Sequence, residues 1–322
     1  MAERIISSYL VGCTALNLAS MICANIGLHI IIPINTMTRD AAMTASEKTL
    51  PSSSGIFSGI KLVFSFSLLI LKTKYLIIKY SIINTENSKK NQTMDKPVMI
   101  ITGGSSGLGL GITKAALENG YFVVNLSKNP EKIKKLEQCF PDSYMGIAGD
   151  LTDESHVKNA IAKISECGRI SVLINSAERG CFRNPTDYTS ADIDLSLEGL
   201  RSMILCTTYT LKACGEKDLR IINILSSAAL KGKPKEALYC SAKWGERGYT
   251  EALKAAYSGS SVKVSAVFPS GMNTGFWDNS RDYISESKSA SFMDPDEVGR
   301  VIVSGLNAGA TLKIGDMIIE RN

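Results

Sequence analysis

Between residues 97 and 319 short apolar runs alternate with longer stretches whose apolar positions recur at helical spacing. The runs are PVMIITG (97–103), YFVVNLS (121–127), YMGIAGD (144–150), ISVLINS (170–176), RIINILS (220–226), VKVSAVFP (262–269) and TLKIGDMII (311–319). Runs that are apolar throughout, with little alternation, predict strands buried on both faces, as in a parallel sheet covered by helices. The stretches between them carry helix punctuation. ITKAALENG ends at Gly120, PEKIKKLEQCF opens with Pro130, and DESHVKNAIAKISECG begins acidic and ends at Gly168. The pattern predicts an α/β domain over residues 94–322: a doubly wound, parallel, seven-stranded sheet of the Rossmann type.

Residues 1–93 follow a different pattern and read as a hydrophobic, basic extension. From Ile5 to Thr38 there is no Lys, Arg, Asp or Glu, a length that would cross a bilayer. Polar residues dilute it, among them Ser7, Asn17 and Asn25. A second apolar region (56–83) is interrupted by Lys61, Lys72, Lys74 and Lys79, and its longest uncharged core, Leu62 to Leu71, is too short for a span. Lysines spaced among apolar residues suit a helix lying on a membrane surface. Three readings stand for 1–93: membrane association through residues 5–83, a poorly ordered extension, or upstream sequence outside the working protein, with Met94 as its start.

Charge and rare residues narrow the chemistry. The net charge of +5 resides in residues 1–93, and residues 94–322 sum to zero, so the main domain shows no basic footprint for nucleic acid. Eight cysteines without CxxC pairs or regular spacing predict reduced, mostly buried thiols of a cytoplasmic domain. His29 and His156 are the only histidines. A metal centre or a histidine-based hydrolase in the main domain would depend on His156 alone, which reads as an exposed helix residue, and no metal site is expected.

Two clusters carry candidate chemistry. TGGSSGLG (102–109) stands between a buried strand and a helix. There Gly103 permits a tight turn, Gly107 lets backbone approach a pyrophosphate, and Gly109 lets helix and strand pack closely. A linker would not occupy that position. In YCSAK, Tyr239 and Lys243 share one helix face, and an ammonium there favours phenolate and readies the tyrosine for proton exchange. Thirteen residues earlier Ser226 ends a buried strand, at the sheet edge where open α/β folds bind ligands.

With these motifs in order, residues 96–320 resemble the short-chain dehydrogenase/reductase superfamily. The likeness rests on TGGSSGLG, on Asp150 in AGDLTD, and on NSA (175–177), LSSAA (225–229), YCSAK and FPSGMNT (268–274). It implies an NAD(P)-dependent oxidoreductase moving hydride between a cofactor and a carbonyl or secondary alcohol, with Ser226, Tyr239 and Lys243 catalytic. By the same resemblance Gly103, Ser105, Ser106, Gly107, Leu108 and Gly109 hold phosphate. Asp150 and Leu151 contact adenine, Asn175 and Ala177 line the ribose, and Tyr239 and Lys243 also touch cofactor. Pro269, Ser270, Met272 and Thr274 lie beside the nicotinamide amide. Lys128, after the second strand, favours the 2′-phosphate of NADP, with NAD as the other option. Relatives of this kind form dimers or tetramers through the helix SAKWGERGYTEALKAAY, and cover substrate with a segment equivalent to 276–292. That segment reads here as polar and mobile. Three positions depart from the family pattern: Glu178 where a small residue is usual, Ser196 where a catalytic asparagine is usual, and Ser270 with the glycine displaced to Gly271. The first two motivate an alternative, a dinucleotide-binding regulatory or sensor protein with weakened turnover.

Overall fold

The computed structural model describes residues 74–80, 96–215, 217–280, 283–306 and 314–322. The uncharged stretch 5–38 and the apolar core 62–71 lie outside the described residues. Residues 74–80 are helical, with Tyr75, Leu76, Ile77, Ile78 and Tyr80 exposed. Among the described residues no helix is long and apolar enough to cross a membrane.

From Val98 onward the chain builds one seven-stranded sheet in the order β3-β2-β1-β4-β5-β6-β7, every pairing parallel. The strands are β1 (Val98–Thr102), β2 (Phe122–Ser127), β3 (Tyr144–Ala148), β4 (Ile170–Asn175), β5 (Arg220–Ile224), β6 (Lys263–Pro269) and β7 (Met317–Ile319). The helices are α1 (Gly107–Glu118), α2 (Pro130–Cys139), α3 (Glu154–Ser165), α4 (Ser190–Cys214), α5 (Ala237–Ala256), a short α6 (Glu286–Ala290) and α7 (Pro295–Leu306). All seven expected strands form. The last is shorter than TLKIGDMII: residues 314–316 precede β7 without pairing, and 307–313 are not described.

Strand side chains alternate between two cores, which is why the runs had to be apolar throughout. Val98 and Ile100 face a cluster with Val157, Ile161 and Ile164 of α3 and Cys206 of α4. Met99 and Ile101 face the opposite cluster, with Ile112 and Ala116 of α1 and Ile302 and Val303 of α7. Burying each such side chain stabilises the fold by roughly 1.5–3 kcal/mol before entropy is set against it.

Helix starts follow local chemistry. The Asn129 side chain accepts the Lys132 N–H with Pro130 at the first helical position, and Asp153 accepts the Ser155 N–H. Thr189 and Asp192 cap α4 reciprocally. In α1 the N-cap, Ser106, makes no side-chain bond, so its first-turn amides are left for another acceptor. The strand order reverses between β1 and β4, which opens a crevice at their carboxyl ends. The Thr102 hydroxyl accepts the N–H groups of Ser176 (2.9 Å) and Ala177 (3.0 Å), tying the loop after β4 to the end of β1 at that crevice.

Candidate active site

The loop after β1 is braced from below. Gly103 turns with φ of +71°, its N–H donates to Leu126 O at 2.8 Å, and the Thr113 hydroxyl donates to Gly104 O at 3.0 Å. A Cβ on Gly109 would lie 2.2 Å from Gly103 O, so α1 starts in direct contact with the turn. The uncapped amides of α1 therefore meet the crevice at the positive end of the helix, a fit for the pyrophosphate of a dinucleotide.

A cavity of about 1310 Å³ extends from this loop across the ends of β4, β5 and β6. It brings together Gly103, Ser105, Ser106, Gly107, Leu108 and Gly109 with Ala177, Ser226, Tyr239, Lys243, Pro269, Ser270, Met272 and Thr274. A smaller adjoining cavity takes in Lys128, Asp150 and Leu151. One expected lining residue is elsewhere. Asn175 is buried and turned inward, where its amide N–H group donates to Asn223 Oδ1 (2.8 Å) and Thr207 Oγ1 (3.0 Å). It ties β4 to β5 and α4, and contributes to the site by bracing the strand that carries Ala177.

Ser226 leaves β5 in extended conformation and accepts the Ala228 N–H at 3.1 Å, which orients its hydroxyl toward Tyr239, with which it hydrogen-bonds. Tyr239 and Lys243 lie one turn apart on the buried face of α5, with the ammonium 5.8 Å from the ring centre. Lys243 is 2% exposed. Its Nζ donates to Ile224 O (3.3 Å) and Glu246 Oε2 (2.8 Å) and lies 2.6 Å from Glu178 Oε2. Burial works against the ammonium, but the two carboxylates more than offset it and hold Lys243 above the ordinary lysine range. For Tyr239 burial is the largest influence and raises its pKa. Lys243 and the Ser226 bond pull it down, Glu178 and Glu246 push it up, and the net shift is upward. The lysine is present as expected, yet its charge reaches the phenol already matched by carboxylates.

Glu246 was not anticipated. Its spacing of three from Lys243 was the available signal, but such pairs on a helix usually face solvent. Glu178, read as an intruding charge, occupies a hollow that α4 leaves for it: a Cβ on Gly199 would fall 2.4 Å from a Glu178 carboxylate oxygen. Ser196, one turn earlier on α4, is buried, and its hydroxyl has no partner among the described residues.

In the smaller cavity Lys128 is ion-paired with Asp150 (3.2 Å) and Glu198 (3.1 Å), and Arg179 stands 4.0 Å from Glu198. At the other end the segment read as polar folds around aromatic residues. Phe182 centres 5.2 Å from Tyr239 and Trp277 and stacks on Tyr283 at 5.4 Å, while Phe276 lies 5.7 Å from Tyr239. The Trp277 indole N–H donates to Met272 O at 3.0 Å, which fastens the segment to the loop after β6. His156, expected to be exposed, is half-buried on α3 with its ring over Gly149. Of the six described cysteines only Cys181, Cys206 and Cys240 are buried. Among the described residues no group of His, Cys, Asp and Glu side chains could hold a metal ion.

The profile of the family described as short chain dehydrogenase matches residues 97–284. Oxidoreductase BOA17 of Botryotinia fuckeliana is 30% identical over 184 residues, 55% of this chain and 66% of that protein. The 3-ketodihydrosphingosine reductase of Bacteroides thetaiotaomicron is 32% identical over 193 residues, 58% of this chain and 68% of its own length. The solved structure described as ElxO with NADP bound superposes with a TM-score of 0.62 at 25% identity, covering 70% of this chain and 97% of that one.

Proposed function

Because the chain belongs to the short-chain dehydrogenase/reductase family of oxidoreductases, we propose that it reduces a carbonyl, or oxidises the corresponding secondary alcohol, with NADP(H) at the cavity above β4 and β5. The observation that carries this reading is the convergence of Ser226, Tyr239 and Lys243 with the glycine loop on one cavity. The bound nicotinamide supplies or accepts the hydride. The chain's own groups do the rest. Ser226 hydrogen-bonds the substrate oxygen, Tyr239 gives it a proton in reduction, and Lys243 holds the ribose and supports the tyrosine. The first-turn amides of α1 receive the pyrophosphate. Phe182, Phe276, Trp277 and Tyr283 around Tyr239 suit a carbonyl carried on an apolar body. The regulatory alternative is not favoured by the family match or by the intact serine, tyrosine and lysine.

Fluorescence titration of the full chain with NADPH and NADH tests the cofactor assignment. Lys128, Lys132 and Arg179 line the smaller cavity with Asp150, Glu178 and Glu198, three charges of each sign. The exposed pairs that engage Lys128 are each worth only about 0–1 kcal/mol, so a phosphate can compete for it. Lys128→Ala is expected to weaken NADPH about tenfold and NADH little. Equal weakening of both would remove the case for NADP.

We also assign the outer faces of α4 and α5 to self-association, since Ile193, Leu197, Ile204 and Trp244 are exposed there. Sedimentation of a Trp244→Glu variant is expected to show a smaller species than wild type. A wild type that sediments as a monomer would end this assignment.

A further inference from the structure

One ammonium and two carboxylates are buried together beside the tyrosine. Glu246 is 1% exposed and Glu178 11%, at 2.8 and 2.6 Å from Lys243 Nζ. Two ionised carboxylates against a single ammonium would leave a net negative charge on side chains that are almost wholly buried, a costlier arrangement than a neutral set. The cheapest relief is one proton, held by one carboxyl and shared with the other. The geometry offers a place for it. Glu246 Oε2 is occupied by Lys243, while its Oε1 is buried with no hydrogen-bond partner among the described residues. Glu178 is held in place on its other side, where Oε1 accepts the Arg179 N–H at 2.8 Å.

We propose that Glu178 and Glu246 share a single proton around Lys243, so that the pair carries one negative charge, balances the ammonium and keeps Tyr239 a phenol ready to donate. The two glutamates are positioning residues that act on the tyrosine through the lysine. Burial, first, and the neighbouring Glu178 raise Glu246 well above the usual carboxylate range, against the pull of Lys243, which is the direction such sharing requires. The groups that act on the cluster are Tyr239 and Lys243 from α5 itself and Glu178 from the loop after β4. The Ile224 carbonyl of β5 and Gly199 of α4 complete its walls. This deepens the proposed reading and rests on it for the role of Tyr239, but the proton itself does not depend on any substrate.

The arrangement makes each carboxylate a reserve for the other. With Glu178→Gln, Glu246 is the one carboxyl left against Lys243; with Glu246→Gln, Glu178 is. The charge felt by Tyr239 is the same in both. Only the double substitution leaves the ammonium unbalanced.

Infrared spectroscopy of the purified full chain near pH 7 reads the proton directly, because other carboxyl groups with ordinary pKa values are ionised there. The expected result is a protonated-carboxyl C=O band that shifts on 13C-glutamate labelling and is lost in both Glu178→Gln and Glu246→Gln. Absence of the band, or its survival in Glu178→Gln, overturns the proposal. Tyrosinate absorbance against pH, with Tyr239→Phe counterparts to isolate one residue, reads the consequence. Each single variant should titrate like wild type, while Glu178→Gln/Glu246→Gln should ionise Tyr239 at a pH lower by roughly one to three units. Additive shifts from the singles, or no shift in the double, would also overturn it. Should the double variant not fold, the infrared comparison of wild type with the single variants decides alone. An absence of carbonyl turnover would count against the proposed function and leave the band in place, so the two failures are distinguishable.

Discussion

Tyr239→Phe is expected to lower carbonyl reduction by roughly 10²–10⁴-fold, the usual contribution of a positioned proton donor, while NADPH binds as tightly as to wild type. The substitution removes one oxygen and leaves the ring, which Phe182 and Phe276 pack at 5.2 and 5.7 Å. Packing of the aromatic segment is therefore retained, and the loss reports on the proton. The glycine loop and the uncapped start of α1 lie on a different element and are untouched. Because burial and the carboxylates outweigh Lys243 and hold Tyr239 above its ordinary pKa near 10, the residue is a phenol across the neutral range. Reduction should thus be nearly independent of pH there, whereas oxidation, which needs the phenolate, should rise as pH rises. Steady-state rates in both directions, with a cofactor titration of the variant, check each part. A Tyr239→Phe enzyme that kept its turnover would remove Tyr239 from the chemistry.

The elements of this fold were legible because a doubly covered parallel strand has to be apolar on both sides. PVMIITG feeds Val98 and Ile100 to one core and Met99 and Ile101 to the other, and no surface strand reads that way. That the glycine loop, Ser226, Tyr239 and Lys243 meet on one cavity was legible from their places after such strands and on one helix face. Less visible were contacts made by residues whose meaning depends on what covers them. Glu246 is one more charged residue on a charged helix until Glu178 arrives from the loop after β4 and closes over Lys243. Asn175, next to a cavity residue in sequence, points the other way because successive strand side chains alternate. The segment 276–292 carries five serines and two aspartates, and its few aromatic residues find one another around Phe182 only after folding. Phe182 itself sits in a loop, CFRNP, with no periodicity to mark it.

Gly109→Ala is expected to reduce NADPH affinity more than tenfold and to destabilise the fold by about 1–3 kcal/mol, the cost of forcing a methyl group into a packed contact. The added carbon would stand 2.2 Å from Gly103 O, 2.7 Å from Gly103 C and 3.1 Å from Gly104 Cα. All three are backbone atoms, so no side chain can rotate away. The turn cannot retreat either. The Gly103 N–H is bonded to Leu126 O, Gly104 O accepts from Thr113, and on the far side the turn already abuts Ala177. What gives way is the start of α1, whose amides then move off the position where the pyrophosphate would meet them. Gly120→Ala supplies the control. Gly120 also adopts a positive φ, +80°, yet nothing lies within 4 Å of the added carbon. That variant should lose about 1 kcal/mol from backbone strain alone and bind NADPH like wild type. Urea unfolding and NADPH titration of the two variants side by side separate general weakening from damage to the cradle. If Gly109→Ala bound NADPH as tightly as Gly120→Ala, the first turn of α1 would carry no part of the phosphate contact.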